Sequence, residues 1–213
     1  ASTQSTLEKA RQEWSANKDN RGKELTVFHD FASPFSYLAM TQVNAFATAH
    51  QCRLNVKPIL LGALFKKIGT PIVPIFEMST SKQAYLWKEM QLWSRWWRVD
   101  FNFPSRFPLR SILPLRASIV EPKIINAVYN AYWVDGKDIS DTSVFKSLLD
   151  DEGFNGDDII AKSSLQAIKD QLRENTELAE KLNVCGVPTF MVDDKKWWGQ
   201  DRLSHLSEYL CRR

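Results

Sequence analysis

The sequence predicts an α/β protein whose small sheet domain is interrupted by a long all-helical block. Three observations carry this expectation. A strand–helix–strand pattern opens the chain, the middle region has helical periodicity with no strand pattern, and the tail reads helix–strand–strand–helix.

In order, residues 1–23 read as an extension. Ser5-Thr6-Leu7-Glu8 fits a capping box, and Leu7, Ala10 and Trp14 share one helical stripe. Asn17 to Gly22 is a polar linker. Leu25 to Phe31 is rich in β-branched and aromatic residues and predicts a short buried strand. Ser33 then suits a helix N-cap and Pro34 the first helical position, with an apolar-periodic run through Tyr37, Leu38, Val43 and Phe46. Arg53 to Ile59 alternates and ends near Pro58, which predicts a second strand and a β-α-β unit. Leu60 to Phe65 opens a different region, and Gly69-Thr70-Pro71 with Val73-Pro74 marks a loop.

The block that follows is helical. Leu86, Met90, Trp93 and Trp97 make one stripe between Ser79 and about Val99, expected to be its core. Further helical runs cover Leu115 to Val120, Ile124 to Trp133, Thr142 to Asp150 and Asp157 to about Arg173. In the tail, Glu177 to Asn183 ends a helix and Gly186 to Val192 turns into a strand. Asp193-Asp194 is a tight turn, and Lys196-Trp197-Trp198 is its hairpin partner. A last helix begins at Gln200-Asp201-Arg202-Leu203, with Asp201 placed to cap it.

Composition removes several function classes. A net charge of +3 with interspersed signs does not suggest nucleic acid or a membrane surface as partner, and no apolar run is long enough to span a bilayer. No secretory leader pattern is expected at the start. Cys52, Cys185 and Cys211, with His29, His50 and His205 scattered, predict neither a disulfide framework nor a metal site. An intracellular, cytoplasmic setting is the default reading.

The strand-to-helix corner is the chemically informative place. Unpaired N–H groups and the positive end of the helix dipole converge at Ser33, so a bound thiolate or other anion is stabilised there. Thioredoxin-type redox proteins carry C-x-x-C at such a corner. Here the frame is Ser33-Pro34-Phe35-Ser36, and a hydroxyl cannot form a mixed disulfide. Taken alone, Ser33 is read more simply as a plain helix cap.

Five segments in order change that balance: Phe31 to Ala39, Leu61 to Phe65, Tyr132 to Ser140, Gly186 to Phe190 and Trp198 to Leu203. Over roughly residues 24–212 the chain resembles the family of 2-hydroxychromene-2-carboxylate isomerase and kappa-class glutathione transferase, on the DsbA-like branch of the thioredoxin fold. The resemblance implies a thioredoxin-like domain from 24–62 and 174–213, with 63–173 as its all-helical insertion.

It also implies a glutathione site. Ser33 would hydrogen-bond the sulfur, and Val187, before a cis Pro188, would pair its backbone with the cysteinyl unit. Gln200 and Asp201 would hold the γ-glutamyl end, and Lys82 would meet the glycyl end. Departures are His29 where an aromatic is expected, Thr70 near an expected Asn, and Cys185 at a position often aromatic. Relatives are commonly dimers, which implies a homodimer, and kappa relatives occur in mitochondria and peroxisomes. The ending Leu210-Cys211-Arg212-Arg213 is not a Ser-Lys-Leu signal.

Other residues are read as structural. Asp30 is expected to be buried and hydrogen-bonded, His29 to pack within the strand, and Cys185 to be buried and inert. Trp96, Trp197 and Trp198 are candidates to line a pocket for a flat, apolar electrophile. The expected activity is glutathione-dependent isomerisation, with conjugation as the alternative. Two other classes stay open: a disulfide-handling enzyme using Cys185, and a non-catalytic module that binds peptides over Pro188.

Overall fold

The computed structural model describes residues 20–212, so the capping box and stripe expected near Leu7 to Trp14 lie outside the described residues. Four strands form one mixed sheet: β1 Glu24–His29, β2 Arg53–Pro58, β3 Thr189–Val192 and β4 Lys195–Trp198. Their spatial order is β2-β1-β3-β4, with β1 parallel to β2 and antiparallel to β3, and β3 antiparallel to β4. The parallel pair is in register from Glu24 opposite Arg53 to His29 opposite Pro58. Helix α1, Pro34–Ala49, makes the crossover that a parallel pair requires.

Strand β1 lies inside the sheet, and Leu25, Val27, Phe28 and His29 are all buried, while Glu24 and Thr26 at its start are partly exposed. Leu25 and Val27 face the main core with Tyr37, Leu38, Val43 and Phe46 of α1. Phe28 faces the other way, into a smaller cluster with Ile59, Leu64, Ala179, Val184 and Val187. The sheet therefore carries two cores, and the Val187 loop belongs to the smaller one.

Between β2 and β3 lie α2 Leu61–Ile68, α3 Thr80–Trp97, α4 Ile112–Val120, α5 Ile125–Trp133, α6 Thr142–Asp151, α7 Gly156–Ser163 and α8 Gln166–Lys181. Helix α9, Leu203–Arg212, follows β4. The expected loop after Phe65 starts a little later, because α2 runs on to Ile68. It ends at Gly69, whose φ of +74° is the left-handed conformation that glycine adopts without penalty.

Two expectations need correction. The run Asp157 to about Arg173 is two helices. Ser164 N–H and Leu165 N–H donate to the Ala161 and Lys162 carbonyls at 3.1 and 3.0 Å, tightening the end of α7. Leu165 is then extended before α8. Asp201 is not the cap of the last helix. Gly199 (φ +113°) starts a 3-10 turn over Gln200–Arg202, with Asp201 in its middle, and α9 continues from Leu203.

Candidate active site

The corner is built locally. Ser33 is extended at φ −100° and ψ 119°, and its Oγ accepts the Ser36 N–H at 3.2 Å, as an N-cap does. Pro34 occupies the first turn. The Ser33 hydroxyl donates to the Val187 carbonyl at 3.2 Å, which joins the corner to the loop before β3. The Val187–Pro188 peptide is cis, as expected. Both hydroxyls of the frame are buried, Ser33 at 5% exposure and Ser36 at 0%, and it is the bond to Val187 that sets Ser33 against the loop.

Asp30 fixes the corner from behind. Its Oδ1 accepts the Ala32 N–H at 2.9 Å, and its Oδ2 accepts the Leu61 N–H at 2.8 Å, tying the start of α2 to the corner. Burial raises its pKa, opposed by those amide donors and by the Ser111 hydroxyl. Trp133 is also fully buried, and its Nε1–H donates to the Phe31 carbonyl at 2.9 Å. Phe101 stacks on Trp133 at 5.8 Å, so the helical block props the corner with aromatic rings.

His29 is sealed in this support and has no catalytic exposure. Tyr129 OH donates to the Asp30 carbonyl at 3.2 Å and lies 2.9 Å from His29 Nδ1. A phenol has one proton, so Nδ1 must supply the other, which assigns the neutral Nδ1–H tautomer. Burial lowers the His29 pKa to about 3, and its Nε2 is buried without a partner. Tyr37, on the first turn of α1, gives its hydroxyl to the Asp100 carbonyl, and burial pushes its pKa up to about 12.

The other singled-out residues divide. Gln200 is buried beside this assembly, and Gly199 N–H donates to the Pro188 carbonyl at 2.9 Å, so the Gln200-Asp201 turn abuts the cis loop. The Asp201 carboxylate folds back over Gly199 and lies 3.5 Å from Arg202 Nη1. Lys82 sits on the exposed first turn of α3, and among the described residues no hydrogen bond or ion pair joins its side chain to the corner. Cys185 is exposed, which corrects the expectation of a buried, inert thiol. It precedes Gly186, where an added Cβ would collide with the Trp198 ring.

Of the candidate pocket rings, Trp96 is 72% exposed and Trp198 57%, while Trp197 packs on Tyr209 at 5.1 Å. The ring that reaches the site is one assigned to the helical core: Trp97 Nε1–H donates to Gln200 Oε1 at 2.5 Å. No local signal in the sequence marks that pairing. Among the described residues there is no group of side chains suited to hold a metal, and no helix is long and apolar enough to cross a membrane.

A family model described as a DSBA-like thioredoxin domain matches residues 24–211. A 2-hydroxychromene-2-carboxylate isomerase of Pseudomonas putida is 28% identical over 194 residues, covering 87% of this chain and 95% of that protein. A kappa 1 glutathione S-transferase of Rattus norvegicus is 25% identical over 206 residues, covering 87% and 90%. A solved 2-hydroxychromene-2-carboxylate isomerase superposes with a TM-score of 0.80 at 25% identity, covering 89% of this chain and 95% of that one. With a matched model over most of its length, this chain belongs to the DSBA-like thioredoxin family, among its enzymes related to 2-hydroxychromene-2-carboxylate isomerase and kappa glutathione transferase.

Proposed function

We propose that this protein is a glutathione-dependent isomerase in which Ser33 stabilises the glutathione thiolate. The observation that carries the reading is the Ser33 hydroxyl, set at the N-cap of α1 and bonded at 3.2 Å to Val187 beside the cis Pro188. A thiolate there gains the helix N-terminus and a hydroxyl donor, the physics that lowers the pKa of cysteines at helix starts. Each unit of depression is about 1.4 kcal/mol in favour of the thiolate.

In this reading the Ser33 proton turns from the Val187 carbonyl to the sulfur when glutathione binds. The Val187 backbone then pairs with the cysteinyl unit as an added strand. Gln200 and Asp201 take the γ-glutamyl end, Asp201 meeting its ammonium, and Lys82 meets the glycyl carboxylate. The thiolate adds to an electron-poor double bond of a small apolar or aromatic substrate. The resulting carbanion permits rotation about the former double bond, then expels the same thiolate, so glutathione is regenerated and no atom is gained or lost.

If the adduct is instead protonated at carbon and released, the same site conjugates. The isomerase reading is placed first because isomerases stand among the relatives at 28% identity.

The test is an assay of aromatic pyruvates and enones with limiting glutathione. Geometric isomer formed over many turnovers per glutathione is the expected result. Stoichiometric loss of glutathione into a conjugate would replace isomerase with transferase. Neither product, with no glutathione bound, would return the Pro188 loop to the peptide-binding alternative.

A further inference from the structure

We propose that Trp97 is a positioning residue that decides which end of the Gln200 amide meets the ligand. The inference rests on the reading that the chain binds glutathione. A glutamine amide is ambiguous, since its oxygen accepts and its nitrogen donates. An indole N–H can only donate, so the atom it meets at 2.5 Å must be Oε1. The Oε1 is thereby occupied. Among the described residues Nε2 makes no hydrogen bond, so Gln200 offers the site a pair of N–H donors.

Trp97 is itself well held. It is the last residue of α3, is half-buried, and stacks on Trp93 with centroids 5.9 Å apart and planes 25° from parallel. Gln200 is only 2% exposed, so a reversed amide would leave the indole N–H facing two hydrogens. The neighbouring Asp201 provides the opposite polarity. Its carboxylate packs over Gly199, at the turn whose N–H binds the Pro188 carbonyl.

Consecutive residues thus present a neutral donor and an anionic acceptor beside the cis loop. That pair complements a zwitterionic amino-acid end: Nε2 donates to the α-carboxylate, and Asp201 accepts from the ammonium. Trp97 makes this polarity a property of the helical block, because α3 supplies the group that fixes it. Its removal lets the amide rotate and turn its oxygen toward the carboxylate.

Calorimetric titration separates this from simple packing. Two peptides are compared: glutathione, and 4-aminobutyryl-cysteinylglycine, which lacks only the α-carboxylate. Trp97→Phe keeps a ring and removes the N–H. The expected result is a Kd for glutathione raised about 5- to 10-fold, with the Kd of the analogue unchanged. The KM for glutathione should rise alike, with kcat within about twofold. Gln200→Glu retains an acceptor for Trp97 but places an anion where the donor was. It should weaken glutathione by at least about tenfold and spare the analogue. Equal weakening of both peptides, or no weakening of either, would overturn the positioning role. Failure of the unmutated protein to bind glutathione would instead remove the glutathione reading on which the role depends.

Discussion

The corner at Ser33 and the outer face of α3 are held by different means. Behind Ser33, polar groups are buried and mostly engaged: Asp30 accepts two amides, Trp133 donates to Phe31, and Tyr129 links His29 to the Asp30 carbonyl. The outer face of α3 exposes Tyr85, Leu92 and Trp96, while its opposite side buries Met90 and Ser94. Position is specified where a polar group would be stranded if it moved, and left loose where only solvent would be met. The candidate site straddles the two regimes, with Ser33, Val187 and Gln200 in the first and Lys82 in the second.

Substitutions across that divide should differ in size. Trp133→Ala removes a fully buried ring and strands the Phe31 carbonyl, so it should cost about 3–5 kcal/mol of unfolding free energy. Trp96→Ala, on the exposed face, should change stability by no more than about 0.5 kcal/mol. Denaturant titration measures both, and similar losses would erase the distinction. Asp30→Ala leaves the Ala32 and Leu61 amides without their acceptor, at about 1–3 kcal/mol for each one left dry.

The sealed histidine gives a pH signature. The unfolded His29 takes a proton below about pH 6.5, whereas the folded one resists until about 3. The unfolded state therefore binds more protons in that window, and stability is lost as pH falls through it. This group alone adds a slope of about 1.4 kcal/mol per pH unit. His50 is lowered in the same direction by burial and adds to the trend. His29→Phe should flatten the acid limb of a stability-against-pH curve, and an unchanged slope would place the acid sensitivity elsewhere.

The smallest effect is expected at the loose end of the site. Lys82→Ala should leave the thermal midpoint unchanged and raise the KM for glutathione about two- to fivefold, the worth of one exposed ionic contact. A larger rise would mean that glutathione draws Lys82 into a more enclosed position.

What the sequence discloses follows the same divide. The Ser33 cap, Pro34, the two parallel strands and the turn before Thr189 depend on neighbouring residues, and their residue types announce them. The break at Ser164-Leu165 has no Gly or Pro to announce it, and its one trace is a shift of apolar phase, since Ile159 and Ile160 lie off the face that Leu165, Ile168 and Leu172 share. Asp201 looks like a cap because Asp before an apolar run usually is one, yet Gly199 starts the turn two residues earlier. The Trp97–Gln200 bond joins residues 103 apart and has no periodic trace. Trp97 on its stripe reads as core, and only the tertiary fold reveals where its N–H goes.

The central claim is that the corner makes glutathione a better nucleophile, and ultraviolet thiolate absorbance of bound glutathione across pH tests it most directly. Ser33→Ala should cost about 0.5–2 kcal/mol in stability as a lost N-cap. Its diagnostic effect is on the bound thiol. The account predicts a thiolate signal in the unmutated protein well below the pH at which free glutathione ionises, shifted upward in Ser33→Ala. A bound thiol that ionises at the same pH in both proteins would contradict it and leave Ser33 as a helix cap alone.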